Sequence, residues 1–360
     1  MGYIDVHHHF LTEDYAAAWK ASGDIPPGLT PPQWSIDLDL AFLDRHNIDT
    51  AILSLSAPGV GLSHLTPEQA VVLARQINEQ AAAIRDAHPS RFGFFATLPI
   101  LNSDDISLAV EEARYALDTL HADGVTLFTS YHGRYLGHAD FTPLWEELNR
   151  RAAVVFVHPA SLSPSLPPPA KPRGSAPTPS PASSSGTARP SGPPPLPTGV
   201  PPPIIDFPHE TTRTAVHLIT SNALRRFPHV KIILSHGGGT LPYVATRVAH
   251  LTADTGILAR NGDTRTAQEL LEDAKKFYFD VALSGFEEPL GLLTRFAKEE
   301  HVLWGSDFPF VREATVGGQM QVLEGFVGKG EGKDGKGGVV GGIQRHAAER
   351  LFPRLARRGE

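Results

Sequence analysis

Cysteine is absent from all 360 residues. Its absence removes disulfides, thiolate nucleophiles and thiolate-bound zinc, so any metal must be held by histidine and carboxylate. No apolar run approaches the roughly 18 residues that a membrane-crossing helix needs. Positive charge is not in excess either. The 32 Lys and Arg stand against 39 Asp and Glu, a net charge of -7. That balance argues against nucleic acid or an anionic membrane as partner. No basic stretch leads into an apolar segment near the start, where Asp5 and His7-His8-His9 come at once, so a cytoplasmic protein is expected. No Gly-x-Gly-x-x-Gly follows the first apolar run, which disfavours an open, doubly wound sheet around a dinucleotide.

Short β-rich runs alternate with segments of helical period. Strands are predicted at Tyr3–His7, Thr50–Leu55, Arg91–Leu98, Gly124–Leu127, Ala153–His158, Lys231–Ser235, Phe277–Val281 and Val302–Ser306. Helices are predicted at Pro67–His88, Asp104–Leu120, Thr211–Phe227 and Pro289–Lys298. Near-continuous apolar strands separated by helical segments mean a parallel sheet. Eight such units predict a closed α/β (β/α)8 TIM barrel in a single domain spanning 1–360. Two stretches interrupt the pattern. Residues 162–203 are saturated with Pro, Ser and Gly and carry almost no large apolar side chain, so a disordered insertion is expected there. Residues 325–342 are a second loose segment, rich in Gly and Lys. A last helix at Ile343–Leu355 should close the barrel base or join a subunit contact.

Histidines and one aspartate follow the apolar runs. His7 and His9 form a His-x-His pair at the end of the first strand. Side chains alternate along a strand, so both can reach one ion while His8 faces the other way. His158 ends Val154-Val155-Phe156-Val157, and His236 follows Ile232-Ile233-Leu234-Ser235. Asp307 follows Val302-Leu303-Trp304-Gly305-Ser306. Singly, each has an ordinary reading. His158 could be a core or capping residue, His236 incidental to a tight turn, and Asp307 a helix N-cap before proline. Gly237-Gly238-Gly239 could let backbone approach a ligand and aim helix amides at an anion. Jointly, the four positions fall at the C-terminal ends of the first, fifth, sixth and eighth strands, where barrel active sites lie. One divalent metal site is the reading that accounts for all four. His132, His138, His209, His217, His250 and His301 read as ordinary surface or core residues, with His209 a possible helix cap.

These motifs resemble the amidohydrolase superfamily, and within it the branch of aminocarboxymuconate-semialdehyde decarboxylase. Leu127-Phe128-Thr129, Gly133-Arg134-Tyr135-Leu136-Gly137, Pro143-Leu144-Trp145-Glu146-Glu147-Leu148, Glu210-Thr211-Thr212-Arg213 and Phe279-Asp280 resemble the subgroup of fungal 6-methylsalicylate decarboxylases. The resemblance implies that His7, His9, His158 and Asp307 hold one Zn2+ per chain, with Mn2+ as the alternative. His236 would act beside it as acid or base. It also implies a homodimer in which Arg247 reaches the neighbouring subunit's site to hold a substrate carboxylate. Without the resemblance Arg247 reads as a solvated helix residue.

Two departures narrow this. Gly124-Val125-Thr126-Leu127 lacks the lysine that binuclear members carry after the fourth strand, so a mononuclear site follows. Residues 37–42 lack the arginine of the semialdehyde enzymes, which weighs against that doubly acidic substrate. The implied activity is non-oxidative decarboxylation of an ortho-hydroxy aromatic carboxylic acid, with His236 and Asp307 as the two possible proton donors. A metal-dependent hydrolase of lactonase type is the alternative, and a silent binding scaffold the third reading.

Overall fold

The structure, a computed structural model, describes residues 2–25, 29–101, 105–160, 200–259, 262–326 and 339–356. Eight parallel strands follow one another in chain order: Tyr3–His9, Ile48–Ser54, Phe92–Thr97, Gly124–Phe128, Val154–His158, Lys231–Leu234, Tyr278–Asp280 and Val302–Leu303. The ring is closed by bonds between the first strand and the residues that follow the eighth. Val6 N donates to Trp304 O (3.0 Å), and Asp307 N donates to His7 O (2.8 Å). His9 N then donates to Phe308 O (2.8 Å). This is the (β/α)8 barrel that the eight apolar runs predict.

The first strand is two residues longer than predicted, so His7, His8 and His9 all lie within it. The pairing register shifts between Asp5 and His8. Such a bulge re-aims the side chains that follow it. Ile4 and Val6 belong to the inner apolar layer with Phe95, Phe156 and Ile233, and within the shift His7 stands edge-on against Phe156.

The helices form where local chemistry starts and stops them. Thr66 caps Pro67–Ala87 in a capping box with Gln69, and Pro67 takes the first turn, where its missing N–H costs nothing. The sequence reading had no helix at Glu13–Ser22 or Ile36–Arg45; the first is capped by Thr12 and ended by Gly23 at φ 74°, the second capped by Ser35. Their apolar sides join the main apolar core through Tyr15 and Trp19 of the first and Phe42 and Leu43 of the second.

Residues 161–199 of the expected insertion lie outside the described residues, as do 327–338 of the second loose segment. At the edge of the first, the expectation is corrected. Pro202 opens a helix, Pro202–Thr220, far ahead of the predicted start at Thr211. Prolines are compatible with a first turn, whose amides need no partner. Thr212 Oγ1 donates to Pro208 O (2.8 Å), one turn back along the same helix. His209 is therefore inside this helix and caps nothing. At the other end, Val339–Leu351 is helical with a π-turn at Gly342–His346, and breaks at Phe352 before Pro353. Ile343 packs in the main core, while Ala347, Ala348 and Phe352 pack beneath Ile4, Val6 and Leu303. This segment closes the barrel base.

Candidate metal centre and active site

The barrel brings five sequence-distant groups to its C-terminal mouth. His7 and His9 come from the first strand, His158 from the end of the fifth and His236 from just after the sixth. Asp307 lies beyond the eighth. Donor atoms of His7, His9, His158 and Asp307 all lie within 4.8 Å of one another, and all four residues are buried. His7 Nε2 is 3.1 Å from His9 Nε2, and Asp307 Oδ1 is 3.1 Å from His9 Nε2 and 3.4 Å from His7 Nε2.

Each imidazole is oriented through its other nitrogen. His7 Nδ1 donates to Asp280 Oδ2 (3.0 Å), His9 Nδ1 to Ser54 O (3.1 Å) and His158 Nδ1 to Pro159 O (2.7 Å). His236 Nδ1 donates to Ala282 O (3.2 Å). Locking Nδ1 leaves Nε2 as the free donor atom, the arrangement by which proteins orient imidazole ligands.

The protonation pattern suits a cation. Burial, helped by the neighbouring imidazoles, holds His158 well below the usual histidine range, and burial lowers His9 and His236 as well. For His7 burial opposes the charge, but the Asp280 and Asp307 carboxylates outweigh it and push its pKa up to about 10. Burial likewise opposes ionisation of Asp307, yet His7 and His9 hold it well below the usual carboxylate range. The Asp280 and Asp307 carboxylates thus draw a proton onto His7 that a divalent ion would displace, beside further neutral imidazoles. A divalent ion needs those neutral imidazoles and ionised carboxylates. The donor set, three imidazoles and a carboxylate without thiolate, fits one such ion.

Asp280 is the functional candidate that the sequence reading passed over. It ends the seventh strand, accepts from His7 Nδ1, and takes the backbone N–H of His236 (3.1 Å) and of Ala282 (3.0 Å) on its Oδ1. Its signal was an aspartate directly after Phe277-Tyr278-Phe279, at the same strand end as the other site residues. His8 faces away, as alternation predicts. Its Nδ1 lies 3.0 Å from Asp5 Oδ2 and its Nε2 3.2 Å from Asp39 Oδ2.

Two single-residue readings are corrected. Asp307 is not a helix cap, because its side chain turns to the imidazoles and the following helix, Glu313–Gly325, starts after Arg312. Two of the three glycines do not present amides to an anion, nor does Thr240 after them. Gly238 N bonds Ser235 O, Gly239 N bonds His236 O and Thr240 N bonds Thr212 Oγ1. Glycine is needed there for packing: a Cβ on Gly239 would sit 1.9 Å from Pro208 O.

The cluster opens into a cavity of about 650 Å3. Leu98, Ile100, Phe128, Phe207, Leu283 and Phe310 form much of its wall, and His158, His236 and Asp307 its polar end. His132, which the sequence marked as ordinary, also lines it. Four wall residues, His132, His236, Leu283 and Asp307, hold left-handed backbone at φ between 50° and 58°. Strain of that kind persists only where the surrounding packing imposes it. Arg247 does not enter this cavity. It is exposed on the helix Leu241–Asp254 and pairs with no carboxylate among the described residues.

Residues 4–324 match the amidohydrolase family. The chain belongs to that family. Along 359 residues the amidohydrolase is 47% identical to a decarboxylase of Aspergillus niger, covering 99% of this chain and 88% of that one. It is 42% identical to a 6-methylsalicylic acid decarboxylase of Aspergillus aculeatus, covering 98% and 97%. Among solved structures it resembles an amidohydrolase at 25% identity and a TM-score of 0.78, covering 98% of this chain and 100% of that one. A dihydroxybenzoic acid decarboxylase from Polaromonas, solved with bound manganese and the inhibitor 2-nitroresorcinol, shares the fold at 22% identity and a TM-score of 0.69, covering 99% and 98%.

Proposed function

We propose that this amidohydrolase is a metal-dependent carboxy-lyase that removes carbon dioxide, without oxidation, from an ortho-hydroxy aromatic carboxylic acid such as 6-methylsalicylate. The observation that carries this is the buried His7, His9, His158 and Asp307 cluster at the end of a largely apolar cavity sized for a small aromatic molecule. The decarboxylase names of its relatives favour this over the lactonase-type hydrolase.

A divalent ion on those four residues would supply a Lewis acid for the carboxylate and the ortho oxygen. The chain's own residues do the rest. His7 and His9 hold Asp307 as an anion, which leaves it a poor proton carrier. His236 is neutral, with Nδ1 fixed on Ala282 O and Nε2 free, so it can accept the phenolic proton and return it to the ring carbon that bears the carboxylate. The carbon–carboxylate bond then breaks, and its electron pair restores the aromatic ring as carbon dioxide leaves. The apolar wall excludes water from that carbon.

Zn2+ is the proposed ion, because three imidazoles and a carboxylate with an open position suit catalytic zinc. Mn2+, held by the Polaromonas decarboxylase, is the alternative. A homodimer completes the reading. No Arg or Lys lines the cavity among the described residues, so a side-chain cation to help the ion hold the substrate carboxylate would come from elsewhere. Arg247 stands between Tyr243 (79% exposed) and Leu251 (47% exposed) on one face of its helix, an apolar stripe suited to a second copy. The net charge of -7 favours a small-molecule partner over an anionic membrane or nucleic acid, and a cytoplasmic location is proposed with it.

The test is carbon dioxide release by purified protein over a panel of hydroxybenzoates, with metal content measured alongside. Release from ortho-hydroxy acids that stops on chelation and returns with Zn2+ or Mn2+ is expected. Ester or lactone hydrolysis without carbon dioxide would overturn the reading.

A further inference from the structure

The turn over residues 281–285 follows the seventh strand and supplies two parts of the site. Ala282 O accepts from His236 Nδ1 (3.2 Å), and Leu283 forms part of the cavity wall. Ser284 stands against the backbone just beyond His236, where a Cβ on Gly237 would lie 3.2 Å from its Cβ and Oγ. Leu283 holds φ 52°, a left-handed conformation that bulky side chains seldom adopt. The Ala282 carbonyl belongs to the peptide that leads into this strained residue. Such strain persists only where the surroundings over-determine it, so the carbonyl keeps its direction only if the turn is held at both ends.

Side chains hold both ends. Asp280 Oδ1 accepts from Ala282 N (3.0 Å) at the start, and Gln319 Oε1 accepts from Gly285 N (3.1 Å) at the finish. Between them Ser284 N donates to Val281 O (2.9 Å). Gln319 comes from the helix Glu313–Gly325, so the turn is tied to the barrel unit that follows it. The approach is close: a Cβ on Gly285 would lie 3.1 Å from Gln319 Cβ and Oε1. Glutamine is a costly choice for packing alone. The residue is fully buried, and its amide nitrogen meets no acceptor among the described residues. An apolar side chain would remove that unpaired donor. It would also strip Gly285 N of its acceptor, for which no backbone carbonyl substitutes among the described residues.

We propose that Gln319 is a positioning residue for proton transfer: by holding Gly285 N it fixes the turn over 281–285 and, through Ala282 O, the orientation of the His236 ring. This rests on the decarboxylase reading above, in which His236 moves the proton. Gln319 does not line the cavity, so its effect passes through the turn and not through a contact with substrate.

The experiment compares the metal-loaded intact protein with Gln319→Met, which keeps the length of the side chain and offers no acceptor oxygen. On a hydroxybenzoate turned over by the intact protein, kcat should fall on the order of tenfold, while KM stays within about twofold and metal content is unchanged. Gln319→Glu keeps an acceptor oxygen at the same reach and should hold kcat within about threefold of the intact protein. In the His236→Ala background, Gln319→Met should alter the single-turnover rate by less than about twofold, because losses do not add where one residue acts through the other. An unchanged kcat in Gln319→Met, a loss carried by KM or by metal content, an equal loss in Gln319→Glu, or losses that add in the double variant would overturn the proposal. If not even the intact protein releases carbon dioxide from any acid, the decarboxylase reading fails. NMR of Zn2+-loaded protein with isotope-labelled histidine then decides the positioning separately. The His236 Nδ1–H signal is the one missing from His236→Ala. A shift of that signal and faster exchange with water in Gln319→Met support the proposal, and a signal unchanged in both respects overturns it.

Discussion

At the scale of single residues, the site separates groups that face the ion from groups that hold them. His236 lines the cavity with its Nδ1 fixed on Ala282 O, so its proposed task is proton transfer. His236→Asn should keep the bound metal and lose about 10²–10⁴-fold in kcat. Elemental analysis and turnover on the same sample check this, and metal lost with activity would make His236 a ligand. Asp280 holds His7 by Nδ1 and the turn of His236 by its backbone N–H. Asp280→Asn should leave the barrel folded and weaken metal affinity about 10–100-fold, the usual effect of removing a partner that orients a ligand. Competition with a chromogenic chelator measures it. Full affinity with lost turnover would move Asp280 into the chemistry. The five site residues named from sequence carried their own signal, strand-end position and residue type. Asp280 carried the same signal on its own run, and was missed because its partners come from the first and sixth strands.

Among elements, strand positions were readable because a buried parallel strand is a continuous apolar run between helical segments. The bulge between Asp5 and His8 was not, because it reflects pairing with the second strand and leaves no mark in composition. Helix faces depend on partners in the same way. Glu147, on the helix Thr142–Arg150, accepts from Arg114 of the preceding helix, Ile106–Asp118 (2.9 Å). It also pairs with Arg150 and Arg151, both at 2.8 Å. Arg114, first among these contacts, holds the Glu147 carboxyl below the usual range. A depressed folded pKa gives stability that is present above the unfolded value and lost as pH falls through the folded one. Glu147→Gln should therefore cost about 1 kcal/mol at neutral pH, a modest figure because Arg114 and Arg150 are largely exposed. The difference should begin to shrink as pH falls below about 4.3, the unfolded value, and vanish only below the depressed folded one. Urea unfolding at the two pH values checks both amount and sign, and a cost that persisted in acid would mean that packing, not charge, is lost.

For the whole molecule, the proposed dimer makes Arg247 part of a site that its own chain does not contain. Arg247→Ala should raise KM sharply with metal content unchanged, since a guanidinium holds a carboxylate through paired hydrogen bonds. Mixing this variant with His236→Ala gives the sharper outcome. Where subunits exchange, one site of each mixed dimer draws His236 and Arg247 from the two intact copies, and activity should return. Proven exchange without recovery would place Arg247 outside the partner's site.

The sequence by itself determined the barrel, the strand-end positions of His7, His9, His158, His236 and Asp307, and the exclusion of thiolate chemistry. These follow from hydrophobic run length, residue type and the absence of cysteine, which are properties of short segments. The Pro-opened helix at Pro202, the hold of Asp280 on His7 and the wall that Trp19 shares with Phe310 were decided only by the tertiary structure. Each depends on which side chains far apart in the chain meet when the barrel closes. Closure pairs the first strand with the last, and nothing local to either one encodes that meeting.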